Sequence, residues 1–248
     1  VVGEGENTFV EVVNALSCDE PVGEVLGTVV RGNGTNVSSN KRPRVRAVDD
    51  IAVPSWDLFP LNAYLEKGYG FGVNRGRSMP IIATRGCPYQ CTFCSNPTMW
   101  TTRWVARNVE EVFLEMQRYL KTYAIDNFDF YDLTAIVKKK WIVQFCQHII
   151  NSGLKFTWQL PSGTRSEAID DEVAKLLYAS GCRNLSYAPE SGSPAVLKRI
   201  KKKIHLGEML ASMRASIRNG LNAKANIILG FPDETHGEVW ESLLFCVR

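Results

Sequence analysis

The chain has 248 residues, 45% of them hydrophobic and 22% charged, which is material for one sizeable core and argues against a disordered polymer. Its 29 basic and 26 acidic side chains leave a formal charge of +3, so no concentrated positive field invites nucleic acid or an anionic membrane. No apolar run reaches the roughly 18–20 residues of a membrane helix, and Val1-Val2-Gly3-Glu4 lacks the flank and apolar stretch of a secretory signal, so a cytoplasmic location is expected.

Residues 1–16 read as an apolar strand entering Gly3-Glu4-Gly5-Glu6, then a helix with Phe9, Val12, Val13 and Leu16 on one face. This is the pattern of the last strand and helix of a doubly wound domain. The start without Met and the apolar run Leu243–Val247 at the other end suggest a fragment. Residues 17–77, rich in Gly, Pro, Asn and Arg, form a connector with one hairpin expected around Asn33-Gly34.

From residue 78 to 248 short β-branched runs alternate with longer amphipathic ones. Strands are expected at Met79–Thr84, Phe128–Tyr131, Phe156–Leu160, Asn184–Ala188 and Ala225–Leu229. Between them, a helix capped by Asn108 keeps Val109, Val112, Phe113, Met116 and Leu120 on one face, and a second spans Ile136–Ile150. A third opens at Asp170-Asp171 and stops at Gly181, a fourth runs from Leu206 to Arg218 and closes at Gly220, and a last one begins near Glu238. Such βα repeats without a hairpin between strands predict an α/β fold, a partial TIM-like barrel, in which chemistry gathers at the C-terminal ends of the strands.

Three of the seven cysteines crowd into Cys87-Pro88-Tyr89-Gln90-Cys91-Thr92-Phe93-Cys94, directly after the first expected strand, whereas Cys18, Cys146, Cys182 and Cys246 are scattered. That spacing suits a metal site better than a disulfide framework. Three thiolates can hold three irons of a cubane and leave the fourth iron open, where an electron-transfer ferredoxin would add a fourth cysteine. Structural zinc is the alternative, although His148, His205 and His236 all lie far along the chain.

This C-x₃-C-x₂-C loop, with Phe93 just before its third cysteine, resembles the radical S-adenosylmethionine (SAM) superfamily. The resemblance implies a [4Fe–4S] cluster on Cys87, Cys91 and Cys94, which act both as metal ligands and as the catalytic set, with SAM bound at the open iron. It implies a small-molecule substrate and a reduced flavodoxin or ferredoxin as electron donor. Phe93 would then pack by the adenine of SAM. Ala188-Pro189-Glu190-Ser191-Gly192 resembles the segment whose acidic residue holds SAM's polar groups, and Ile227-Ile228-Leu229-Gly230-Phe231-Pro232 resembles the fifth-strand motif, with Ile228 on the adenine and Gly230 admitting a close backbone. Asp129-Phe130-Tyr131-Asp132 departs from the family's Gly-Gly-Glu, leaving Asp132 as the stand-in for the group that binds the SAM amino nitrogen. A carboxylate facing an ammonium offsets the cost of burying it.

Gly3-Glu4-Gly5-Glu6 and Val53-Pro54-Ser55-Trp56-Asp57-Leu58-Phe59-Pro60, taken with the cysteine loop, resemble the class with an N-terminal cobalamin-binding domain, whose reactions include methyl transfer and oxidative cyclisation. The cobalamin-ligand pattern D-x-H-x-x-G is absent, so no residue here is assigned to cobalamin. The rival to an enzyme is a non-catalytic iron–sulfur or zinc-binding barrel protein. Gly68-Tyr69-Gly70-Phe71-Gly72 mimics a dinucleotide fingerprint but follows no strand and reads as a flexible hinge. Lys138–Lys140 and Lys201–Lys203 read as solvated faces, and His148 as a packed or edge histidine. Trp158 reads as core, while Gln159, Ser162 and Arg165 are open between pocket lining and barrel packing.

Overall fold

The computed structural model describes residues 1–165 and 168–248. Helix α1 (Glu6–Ser17) is followed by an antiparallel hairpin of β1 (Val29–Gly32) and β2 (Thr35–Ser38). Its two-residue turn is Asn33-Gly34, as expected, with Gly34 in the left-handed backbone such turns need. Helix α2 (Leu61–Lys67) leads to β3 (Ser78–Ile81). The short strands β4 (Thr84–Arg85) and β5 (Val105–Ala106) pair antiparallel and bracket the cysteine loop and the one-turn helix α3 (Asn96–Met99). Then follow α4 (Val109–Tyr123), β6 (Asn127–Phe130), α5 (Lys139–Ser152), β7 (Thr157–Thr164), α6 (Asp171–Ala179), β8 (Cys182–Glu190), α7 (Pro194–Arg199), α8 (Leu206–Arg218), β9 (Asn222–Ile227) and α9 (His236–Cys246).

Strands β3, β6, β7, β8 and β9 lie side by side in that order, each neighbouring pair parallel. Sequential parallel neighbours joined through helices make the arc of a partial TIM-like barrel. Alternate strand residues divide between its two faces. Met79, Ile81, Phe128, Phe130, Trp158, Leu160, Leu185 and Tyr187 belong to the buried core with Val112, Met116, Ile142, Phe145, Val173 and Leu177 of the helices. Trp158 is thus core, as expected, its indole nitrogen donating to the Ser180 carbonyl at 3.1 Å. The other face is polar: Asn127 donates to Ser78 at 3.0 Å and to Asp129 at 2.7 Å, and Gln159 donates to Asp129 at 2.6 Å.

Several boundaries differ from the sequence reading. Residues 1–5 form no strand, and α1 turns Phe9, Val13 and Leu16 outward, burying only Thr8 and Ala15. The expected strand Met79–Thr84 breaks after Ile81, because Thr84-Arg85 turns aside to pair with β5. Helix α5 starts at Lys139 rather than Ile136, since residues 131–138 form a loop that buries Asp132, Thr134, Ala135 and Ile136. Helix α7 has six residues, too few for a readable period. The capping of α4 by Asn108 and the start of α6 after Asp170 hold, each cap accepting from a first-turn amide.

Candidate functional site

The site is built from loops that leave the strand ends and lean on one another. Thr92 N–H, inside the cysteine loop, donates to the Ile200 carbonyl at 3.0 Å, which ties that loop to the turn after α7. The Phe93 ring lies 5.7 Å from that of Phe231, beyond β9, and Arg165, after β7, stands 3.5 Å over the Tyr89 ring. Ile228 N–H donates to the Glu190 carbonyl at 2.8 Å, joining the end of β8 to the segment after β9. Cys87, Cys91, Phe93, Glu190 and Ile228 therefore belong to one contiguous assembly, although they span most of the barrel.

Two side chains that the sequence reading passed over hold the cysteine loop in shape. Asn96 is buried, donates from Nδ2 to the carbonyls of Cys87 and Thr101 at 3.0 Å each, and sends its backbone N–H to Cys94 Sγ at 3.5 Å. Arg85, two residues before Cys87, reaches Glu4 at 3.3 Å and also pairs with Glu6. Gly86 between them has φ +79°, and a Cβ there would overlap the Arg103 carbonyl, so only glycine fits. Glu4 also accepts from Val45 N–H at 2.6 Å, so the N-terminal Gly-Glu-Gly-Glu is docked against the root of the loop. The only sequence signals for these parts are the Asn-Pro at a helix start and the repeated acid.

Burial pushes the Cys87 and Cys91 thiols above the ordinary value; Arg165 pulls against it at Cys87, and Lys202 followed by Arg165 at Cys91. Thiolate ligation of a metal centre would release the protons that burial favours. Among the described residues no three His, Cys, Asp or Glu side chains stand close enough to hold a single ion. His148 lies elsewhere, 3.3 Å from Glu110 and edge-on to Phe113, as an edge histidine. Cys146 is a core thiol pushed up to about 12 by burial.

The remaining candidates separate into two groups. Phe93 is 44% and Ile228 37% exposed, so both have surface free for a ligand. Glu190 has φ +65° and its carboxylate meets Lys202 Nζ at 3.0 Å, both side chains nearly buried. Lys202 is thus not on a solvated face. Gly230 has φ +88°, a backbone conformation that favours glycine, and a Cβ there would meet no other atom of the protein within 4 Å. By contrast, Asp132 and Ser191 lie beneath the surface. Asp132 accepts from Ala83 N–H at 3.2 Å, from Thr84 N–H and from the Thr84 hydroxyl at 2.5 Å. Burial, opposed by those bonds, pushes its pKa up to about 6. Ser191 Oγ is 3.0 Å from the Ser242 hydroxyl and accepts from Ser193 N–H at 3.1 Å. Both side chains are engaged with the protein itself.

The segment read as a hinge is instead pinned inside the barrel. Gly72 N–H donates to Asp129 at 3.3 Å, Val73 N–H to Gln159 at 3.1 Å, and Gln159 returns a bond to the Val73 carbonyl at 2.8 Å. Gln159 is therefore a lumen residue that packs on this loop. Beside the loop a cavity of about 730 Å³ is lined by Trp56, Phe59, Tyr64, Phe71, Tyr131 and Ser162, among others.

A parallel βα arc with a three-cysteine loop after its first strand defines a class of barrel enzyme. The profile of the radical SAM superfamily matches residues 81–246, and the chain belongs to that superfamily. It is 34% identical over its whole length to the uncharacterized methyltransferase PH0819 of Pyrococcus horikoshii, covering 52% of that protein. It is 27% identical over 240 residues to the anaerobic magnesium-protoporphyrin IX monomethyl ester cyclase of Cereibacter sphaeroides, covering 95% of this chain and 38% of the cyclase. The chain thus spans about half the length, or less, of these curated relatives. Two solved structures share the fold. The cobalamin-dependent radical SAM enzyme OxsB superposes with a TM-score of 0.81 at 20% identity, over 99% of this chain and 35% of OxsB. The radical SAM methyltransferase TsrM of Kitasatospora setae does so with 0.77 at 18%, over 100% of this chain and 48% of TsrM. No helix among the described residues is long and apolar enough to cross a membrane.

Proposed function

We propose that the chain is the catalytic core of a cobalamin-linked radical SAM enzyme, with residues 78–248 as the barrel, 17–77 as connector and 1–16 as the end of a cobalamin-binding domain. The observation that carries this reading is the single loop bearing Cys87, Cys91 and Cys94, braced by Asn96 and tied through Thr92 to the turn that presents Lys202 to Glu190. The donor set fits a [4Fe–4S] cluster: three soft thiolates within eight residues, a backbone N–H directed at Cys94 sulfur, and no other cysteine or histidine in the sequence of the loop. When bound, the cluster and SAM supply a one-electron cleavage to methionine and a 5′-deoxyadenosyl radical able to take hydrogen from a small-molecule substrate.

The protein's own part is to hold and shield. Cys87, Cys91 and Cys94 bind the irons. Phe93 and Ile228 offer apolar surface to the adenine, and the left-handed Gly230 shapes the segment beside it. Glu190 meets the polar part of the nucleotide, while Asp132 and Ser191 fix the loops from below. The electron donor is a reduced flavodoxin or ferredoxin, and methyl transfer or oxidative cyclisation is the outcome that the named relatives favour.

Anaerobic reconstitution followed by electron paramagnetic resonance (EPR) tests the reading. Added SAM is expected to perturb the reduced cluster's spectrum, and Cys91→Ala to abolish cluster assembly and SAM cleavage together. A thiolate-saturated centre or a lone zinc, indifferent to SAM, would establish the non-catalytic alternative.

A further inference from the structure

Lys202 stands in a run of three lysines, yet only its two neighbours face solvent; its own side chain is 9% exposed. The backbone explains the difference. Helix α7 ends at Arg199, Lys201 takes the left-handed conformation at φ +55°, and Lys202 N–H bonds back to the Leu197 carbonyl at 2.9 Å. This turn is held to the cysteine loop by the Thr92 N–H to Ile200 bond of 3.0 Å, one residue from Cys91. The turn therefore aims the ammonium inward, where it meets Glu190 at 3.0 Å. Glu190 itself occupies a left-handed backbone that a non-glycine residue keeps only when its surroundings hold it there. A burial cost on two charged groups and a disfavoured backbone converge on one ion pair at the turn bound to the cysteine loop.

We propose that Lys202 sets how readily a cubane on Cys87, Cys91 and Cys94 accepts its electron, by placing a nearly buried positive charge on the turn bound to the cysteine loop, with Glu190 as the opposing charge. The inference rests on the radical SAM reading above. Reduction adds one electron from an external low-potential reductant and takes the cluster core from 2+ to 1+, with no bond formed or broken. The added negative charge is stabilised by a nearby ammonium and destabilised by a nearby carboxylate, and both effects are strong where water is excluded. Arg165, 3.5 Å over the Tyr89 ring of the same loop, is a second cation on this side, and the Glu190 carboxylate, 3.0 Å from Lys202, is the opposing charge.

The test is a redox titration of the full-length, anaerobically reconstituted protein, without SAM, following the reduced cluster by EPR. At the potential where the wild-type cluster is half reduced, Lys202→Met is expected to lower the ratio of reduced to oxidised cluster by about tenfold. Glu190→Gln is expected to raise it, and Lys202→Arg to stay within about twofold of wild type. Opposite shifts from the two halves of one ion pair are the signature of charge acting on the cluster. Unchanged ratios in both variants, shifts of the same sign, or loss of the cluster from both would make the pair structural and overturn the proposal. A wild-type protein that assembles no cubane would overturn the radical SAM reading first and this inference with it, so the two failures are distinguishable.

Discussion

Asp132 shows how much of a side chain's setting comes from remote loops: its oxygens take the N–H groups of Ala83 and Thr84 and the Thr84 hydroxyl, three residues before Cys87. It is a positioning residue for the root of the cysteine loop. Asp132→Ala would leave those donors buried and unpaired, and a loss of about 2–4 kcal/mol is expected in urea unfolding. Asp132→Asn keeps an acceptor and is expected to fold. The carboxyl's pKa of about 6 lies above its ordinary 3.8, so between those values the folded chain keeps a proton that the unfolded chain has lost. Its contribution to stability is therefore present below pH 4 and declines as pH rises towards 6. The Asn variant is expected to lose that slope when melting temperature is followed across the window. A side chain's burial partners, as here and at Ser191, depend on loops brought in from elsewhere, and no local pattern encodes them.

At the scale of elements, the Gly-rich segment after α2 is the case where a motif was read correctly as no fingerprint but wrongly as a hinge. Its glycines are there because the backbone presses against Asp129 and Gln159 on the inner strand faces. A Cβ at Gly70 would come within 2.8 Å of Asp129 Oδ2, and one at Gly72 would overlap the Gln159 amide. Gly72→Ala is expected to destabilise the barrel by about 1–3 kcal/mol, seen as a lower melting temperature, because Gln159 cannot withdraw without losing its two bonds to Val73. Helices α4, α6 and α8 were legible because caps and 3.6-residue periodicity act locally. Helix α7 and the pair β4–β5 were not, since each is shorter than the window over which a period can be seen.

At the scale of the whole molecule, the parallel arc leaves β3 and β9 as its outer strands among the described residues, and α1 shows Phe9, Val13 and Leu16 to solvent. Yet residues 4–6 are fixed to Arg85, so α1 is attached to the barrel at the root of the cysteine loop. Exposed apolar side chains on one helix face favour association. Residues 1–248 prepared alone are expected to self-associate in analytical ultracentrifugation, and Phe9→Glu with Leu16→Glu to shift the distribution towards monomer. An unchanged distribution would place the contact elsewhere, the unpaired edges being the next candidates.

The sequence by itself determined the βα order, the hairpin turn and the three-cysteine loop, because helix periods, turn residues and ligand spacing are written within a few consecutive positions. Only the tertiary structure decided which charged groups lie buried beside the thiols. Lys202 and its neighbours are the same residue type, and what separates them is a left-handed turn at Lys201 held by a bond from Thr92, a contact made across more than a hundred residues of chain.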